Sequence, residues 1–438
     1  AFWDQFEHAD TFGSLIRPEA DLIQPLREHL ETLDKDRLGA PELREQAERV
    51  LKQAEYLTQR YDVAIANPPY MGSKQMNALL SQFMKEGYPD YKSDLFAAFM
   101  GRCTALAGPG GAIAMITMQS WMFLSSFEKL RGSLLTQQHV SSMLHLGAHA
   151  FDSIGGEVVS STAFVLMNQL VRNLVEKSVK RGIYIRLVDG SSEQEKIAAL
   201  NTALSKRTRE TDFYLASSGD FAMVPGSPIV YWLSENMRRS FTIGFPLKTV
   251  ANLRQGLATA DNNRFLRQWW EVSSSRTAFA CTSREEAVAS GARWFPYNKG
   301  GEFRKWYGNQ EFVVNWENDG KEIRAFGTEE GGRPRSRAQN TETYFSPSVS
   351  WSKVSSGSPA FRAYPTGFIY DVAGTSIFAD RSQKYLELLS ILNSQVALEQ
   401  LAAIAPTLNY EVGQVASLPV TEGNVGGENS FAAMSIEE

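Results

Sequence analysis

A chain of 438 residues, 43% hydrophobic and 21% charged, is longer than one hydrophobic core usually supports, so two domains are expected and wholesale disorder is excluded. Its two cysteines, Cys103 and Cys281, lie far apart without a metal-ligand neighbourhood, which excludes a disulfide scaffold and a readable zinc site and fits a reducing, cytoplasmic setting. No apolar run reaches the length of a membrane span, no signal-peptide pattern opens the chain, and the net charge of −5 says little about a local basic groove.

The chain opens on Ala1, and Phe2-Trp3-Asp4-Gln5-Phe6 reads like the middle of a domain, so a fragment of a longer protein is expected. Residues 1–60 read as a helical lead-in. Within it, Ala9-Asp10-Thr11-Phe12-Gly13-Ser14-Leu15-Ile16 is a candidate strand end and turn with Asp10 as its acidic member. From Pro41 onward, Leu43, Ala47, Val50, Leu51, Ala54 and Leu57 recur at spacings of three and four, the pattern of an amphipathic helix with proline in its first turn. That helix feeds Tyr61 to Ala66, a short apolar, partly β-branched run that reads as a strand and stops at Pro68 and Pro69. Helices are predicted from Met76 to Lys85 and from Asp94 to Leu106. The second ends at Gly108-Pro109-Gly110-Gly111, which reads as a turn before a strand over 112–118; it follows a helix and precedes a strand, the wrong order for a phosphate-binding loop.

Ser125 to Gln137 reads as a helix, and Val140 to Gly147 and Val158 to Asn168 read as strands joined by residues 148–157, a connection that carries Phe151. The segment 61–168 therefore reads as half of an open α/β sheet, buried on both faces, within a catalytic domain spanning 61–189; ligands of such sheets sit beyond the carboxyl ends of the strands. Residues 190–224 are polar, lean toward helix over 190–220 and read as a linker or spacer. Residues 225–425, rich in glycine, aromatics and arginine, read as a second, β-rich domain, and 426–438 as a loose tail. Loops of the second domain alternate cations with aromatics, which suits phosphate contact, base stacking and base-edge readout. The candidate DNA-contacting cations are Arg264, Lys299, Arg304, Lys305, Arg333, Arg335, Arg337 and Lys353.

The stretch with the most chemistry is Asn67-Pro68-Pro69-Tyr70. A residue before proline is pushed toward extended backbone, which holds Asn67 at the strand end, and proline supplies no donor to mask the neighbouring carbonyls. The Asn67 amide oxygen and the Pro68 carbonyl make two acceptors suited to the two hydrogens of an exocyclic amine on a planar heterocycle, with Tyr70 and Phe151 to stack on the ring. An amine so held has a localised lone pair and can attack a sulfonium methyl in line, its proton leaving afterwards. A duplex base presents that amine only when flipped out of the stack.

In order along the chain, Asn67-Pro68-Pro69-Tyr70, Asp94-Leu95-Phe96 with Phe99, Gly110-Gly111 before the strand to Met118, and Phe151 before the strand to Asn168 resemble the later motifs of the γ-type DNA adenine-N6 methyltransferases, most of all those of BREX phage-defence systems. The resemblance spans roughly residues 1–425. It implies an α/β fold, the C-terminal half of a Rossmann-like methyltransferase sheet followed by a mixed α+β, β-rich target-recognition domain, and methylation of adenine N6 by S-adenosylmethionine in double-stranded DNA. It further implies that Asn67, Pro68, Pro69 and Tyr70 are catalytic, that Tyr70 and Phe151 stack on the base, and that Asp94, Phe96 and Asp10 belong to the cofactor side. Other BREX defence proteins or a phage DNA-mimic inhibitor are candidate partners; no metal and no membrane are implied. One departure stands out: no glycine-rich strand-to-helix turn precedes Tyr61, so the main cofactor loop is missing and the isolated chain is expected to bind S-adenosylmethionine weakly and to methylate poorly. A bifunctional restriction-modification enzyme with its nuclease upstream, or a DNA-binding or docking module retaining the fold, are the alternatives.

Overall fold

The computed structural model describes residues 2–32, 41–151, 159–168, 180–328, 331–355, 357–379, 382–405 and 409–421. The expected tail 426–438 and residues 152–158 of the Phe151 connection lie outside this set. The chain divides into two compact units, Ala1–Trp232 and Leu233–Glu438.

The first unit opens with helices Ala20–Thr32 and Pro41–Thr58. Leu51 and Ala54, on the stripe that the spacing predicts, pack with Phe2, Phe6, Ile16, Ile23 and Leu30, while Leu43, at the free end of the stripe, stays 57% exposed. Among the described residues six strands then make one sheet: β1 (Tyr61–Ala66), β2 (Ala107–Met118), β3 (Gln138–Gly147), β4 (Ser161–Asn168), β5 (Arg181–Arg186) and β6 (Phe213–Ser217), in the order β1-β2-β4-β3-β5-β6. β1 runs parallel to β2 and β3 to β5, while β4 is antiparallel to both of its neighbours. The carboxyl ends of β1, β2, β3 and β5 therefore lie along one rim.

Three expectations are corrected here. Gly108-Pro109-Gly110-Gly111 lies inside β2: pairing passes from Tyr61↔Ala107 to Val63↔Ala112, so the four residues bulge out opposite Asp62. Glycine is needed because a Cβ on Gly111 would stand 3.0 Å from the Tyr61 and Gly108 carbonyl oxygens. The sheet is also not buried on both faces. Ile113, Met115 and Thr117 of β2 are sealed under helices Leu95–Leu106 and Glu128–Gln137, whereas Ala114, Ile116 and Met118 are half-exposed and Ile65 is 79% exposed. Finally, 190–224 is not a bare spacer. Ser192 caps helix Glu193–Lys206, whose Leu200 and Ala203 cover Leu144, Leu146, Ile185 and Leu187 over β3 and β5, and Phe213 to Ser217 form the edge strand β6. The helical lean of this stretch is borne out, whereas its polar composition hid the edge strand and the packing of both elements, because one face of the helix and one edge of the strand meet solvent.

The second unit begins with helix Glu235–Ile243, and its strands are β7 (Phe245–Pro246), β8 (Asn252–Arg254), β9 (Leu266–Gln268), β10 (Trp294–Asn298), β11 (Phe312–Asn315), β12 (Ser348–Trp351), β13 (Phe361–Tyr364), β14 (Ile369–Tyr370), β15 (Ser376–Phe378) and β16 (Pro419–Val420). They form a sheet β14-β10-β11-β9, a second sheet β13-β12-β15-β8 and the pair β16-β7. Phe265, Phe295, Tyr297, Trp316 and Phe345 fill the core of the first sheet. Asn298, fully buried, ties the two sheets together by donating to Ser350 Oγ at 2.7 Å and to the Gly374 carbonyl at 3.0 Å. Helices Ser382–Leu392 and Gln395–Ile404 complete a mixed, strand-rich unit.

Candidate active site

β1 delivers Asn67 to the rim with its side chain exposed; Pro68 is buried, and Tyr70 is half-buried. Among the described residues no backbone donor occupies the Pro68 carbonyl, as the absence of an N–H on Pro69 favours. The Tyr70 ring meets Phe96 edge-on, centroids 6.2 Å apart at 85°, and Phe96 in turn packs on Phe127 at 5.5 Å. Burial raises the Tyr70 hydroxyl above its ordinary range, and the Ser161 side chain, which lies against it, pulls the other way. Ser161 is fully buried at the start of β4, opposite Met118 of β2 and Gly147 of β3, so Tyr70 leans on the middle of the rim.

Asp94 locks this corner. It is the N-cap of helix Leu95–Leu106, and its carboxylate oxygen Oδ1 accepts from Phe96 N at 3.3 Å and from Met71 N at 3.1 Å. Backbone bonds from Leu95 N to the Met71 carbonyl at 3.0 Å and from Ser73 N to the Ser93 carbonyl at 3.1 Å close the same junction. Burial, outweighing these backbone donors, holds the Asp94 carboxyl above the usual carboxylate range. Asp94 thus fixes the residue that follows Tyr70, and Phe96, fully buried, packs edge-on against the Tyr70 ring.

Other expected residues fall elsewhere. Phe151 is half-buried in a cavity of about 290 Å³ with Leu144, Leu146, Ala150, Leu187 and Lys196. Asn67 instead borders a cavity of about 390 Å³ lined by Ile65, Ala114, Ile116, Leu144 and Val165, and Tyr70 lines neither. Asp10 sits on a short helix, Ala9–Phe12, where its carboxylate accepts from Thr11 N at 2.9 Å, and the neighbouring Phe12 stacks on Phe83 at 4.0 Å. Its carboxylate serves its own turn. Among the described residues no group of His, Cys, Asp and Glu could hold a metal ion, and no helix is long and apolar enough to cross a membrane.

A buried imidazole near the same rim escaped the sequence. His145 on β3 has its Nδ1 at 2.8 Å from the Tyr231 hydroxyl and its Nε2 at 2.7 Å from Gln119 Oε1, just past β2. Gln119 Oε1 can only accept, so Nε2 carries the proton and Nδ1 accepts from Tyr231. Burial, aided by Arg186 and Lys196, pushes the ring down to about 3, so it is a neutral brace and not a base. One histidine inside an apolar strand gives no local signal of the partners it meets across the sheet.

In the second unit four of the eight expected cations are engaged with oxygen partners. Arg264 pairs with Glu322 at 3.0 Å, Arg304 with Glu311 at 3.4 Å and Lys353 with Glu411 at 3.0 Å, while Lys305 donates to the Asn393 carbonyl at 3.4 Å. Arg333, Arg335 and Arg337 are exposed. Lys299 differs, lying 4.9 Å above the Phe312 ring at the edge of a polar depression.

Residues 18–151 match the Eco57I restriction-modification methylase family. The matched stretch holds Asn67 to Tyr70, Asp94, Phe96 and Phe151, and leaves Asp10 outside. Over 367 residues, 84% of its length, the chain is 39% identical to the adenine-specific methyltransferase PglX of Lacticaseibacillus casei (strain Zhang), covering 30% of that protein. Over 430 residues, 96% of its length, it is 37% identical to the adenine-specific methyltransferase BrxX of Escherichia coli O9:H4 (strain HS), covering 33% of it. The chain thus spans about a third of the length of the curated relatives it matches. Among solved structures, the Type IIL restriction-modification enzyme MmeI in complex with DNA aligns over 75% of this chain and 42% of its own, at 12% identity and a TM-score of 0.45.

Proposed function

We propose that this chain is the base-holding and target-reading part of a site-specific DNA adenine-N6 methyltransferase of the BREX phage-defence kind. The observation that carries this is Asn67-Pro68 at the carboxyl end of β1, an exposed amide beside an unoccupied carbonyl, within the matched methylase domain. Asn67 Oδ1 and the Pro68 carbonyl accept the two N6 hydrogens of an adenine flipped from the duplex. Tyr70, set by Phe96 and Ser161, stacks on the base. With both hydrogens held, the N6 lone pair is localised and no side chain need remove a proton first. Asp94 acts through Met71 and Phe96 as a positioning residue.

The methylase family implies S-adenosylmethionine, which supplies an electrophilic methyl group when bound. The described residues supply a wall for it rather than a site. The cavity bordered by Asn67 has no charged side chain in its lining, and before β1 no described strand turns through glycine into a helix. Weak cofactor binding and poor methylation by the isolated chain follow from that.

Methylation mapping of host DNA with and without the gene tests the function and reports the recognised sequence. In the full-length protein Asn67→Ala is expected to abolish N6-methyladenine at that sequence; modification that persists would overturn the catalytic role. A second reading, a DNA-binding module that keeps the fold without the reaction, draws support from the exposed Arg333, Arg335 and Arg337 of the second unit. It predicts sequence-selective DNA binding by the full-length protein with no modified adenine.

A further inference from the structure

On the second unit, a depression of about 400 Å³ lies along the outer edge strand β9, between Asn263, Arg267 and Gln268 on one side and Lys299 with Phe312 on the other. Its lining carries side-chain amides and two cations together. The Lys299 ammonium makes no direct ion pair among the described residues; it lies over the face of Phe312 and is near enough to the Asp371 carboxylate to favour its charged form. The only carboxylate in the lining, Glu271, is already engaged, accepting from Gln268 N at 2.7 Å. Immediately after Gln268, on the single turn Trp269–Glu271, two indoles stand in solvent: Trp269 is 51% and Trp270 54% exposed, their rings 5.4 Å apart and nearly perpendicular.

Two adjacent half-exposed tryptophans are costly to leave in water unless a partner covers them. Indole faces stack on planar rings, amides and cations pair with the edges of those rings, and positive charge favours a polyanion. Taking the proposed function as given, we propose that this depression is where the second unit reads base edges of the DNA target. Gln268 and Lys299 donate to the bases, Asn263 and Arg267 flank them, and Trp269 and Trp270 pack on the nucleic acid at the rim. A protein partner would find few apolar positions inside the depression, since Leu266 and Phe312 are its only large apolar lining residues.

The test selects bound duplexes from a random-sequence library with full-length protein, comparing wild type with Gln268→Glu, Lys299→Ala and Trp270→Ala. Gln268→Glu keeps the side-chain oxygen that caps the turn at Glu271 while removing the amide donor. Wild type is expected to enrich one defined sequence. Gln268→Glu and Lys299→Ala are expected to lose preference at one or two positions of it by about tenfold or more, with the rest retained. Trp270→Ala is expected to weaken all duplexes without changing the sequence. Unaltered preference in both Gln268→Glu and Lys299→Ala overturns the proposal, as does a uniform loss of affinity in both, which would mark phosphate contact alone. Thermal unfolding of each variant is measured alongside, and Gln268→Glu decides the matter if Lys299→Ala melts early. A wild type that selects no sequence and leaves host adenine unmodified would sink the proposed function itself, an outcome distinct from variants that select as wild type does.

Discussion

Asp94 offers a quantitative test of how the tetrad is held. Replacing it by alanine removes the helix N-cap, worth about 1 kcal/mol, and strips the Met71 N–H of its acceptor at 3.1 Å. A buried orphaned donor costs about 1–3 kcal/mol, and because Met71 is only half-buried the low end applies, giving a loss of about 2 kcal/mol in all. For a unit of this size that lowers its melting transition by about 4–8 °C. Asp94→Asn keeps an oxygen in place and should cost well under half as much. The larger effect falls on chemistry: the turn after Tyr70 loses its anchor, and a displacement of about 1 Å can cost about a hundredfold in rate. Thermal unfolding of both variants and adenine methylation by the full-length protein give the readouts. An alanine variant that melts like wild type and methylates at full rate would refute the positioning role. The pH dependence has a definite sign. Burial raises the folded-state carboxyl above its ordinary value of 3.8, so the folded state holds the proton more tightly and loses stability as pH rises through the window above 3.8. Asparagine lacks that loss, so the Asn-minus-wild-type difference in stability should grow across the window and then level off.

Three further outcomes follow from the first unit. Asn67→Ala should leave the melting temperature nearly unchanged, since the side chain is exposed, while abolishing methylation by the full-length protein. His145, held down to about 3 against an ordinary 6.5, contributes stability that is complete above pH 6.5 and is lost as pH falls toward 3. Between pH 6.5 and 5 this amounts to about 2 kcal/mol, which urea unfolding should show in wild type and miss in His145→Gln. Gly111→Ala drives a Cβ to 3.0 Å from two carbonyl oxygens of the bulge and should cost about 1–3 kcal/mol, measurable as a lowered unfolding midpoint; an unchanged midpoint would refute the need for glycine there.

Local sequence determined the elements whose causes are local. Proline at 68 and 69 ended β1 where the chain itself requires it, apolar residues at helical spacing marked Pro41–Thr58, and the Asn67 to Tyr70 order placed an amide, a carbonyl and a ring at one strand end. These depend on neighbours within a few residues, so one sequence suffices to see them. Tertiary structure decided the rest. Gly108 to Gly111 became a bulge because β2 must pair with β1 on both sides of Asp62, and the polar stretch around 193–217 became a covering helix and an edge strand because one side of each meets the sheet. Asp94 clasps the Tyr70 turn through a bond that spans twenty-three residues, and His145 meets Tyr231 across eighty-six. Ion pairing set Lys299 apart from Arg264, Arg304 and Lys353, and an edge strand brought Gln268 and two tryptophans to its side. Composition names such residues, whereas only folding determines which are already occupied and which still face a partner.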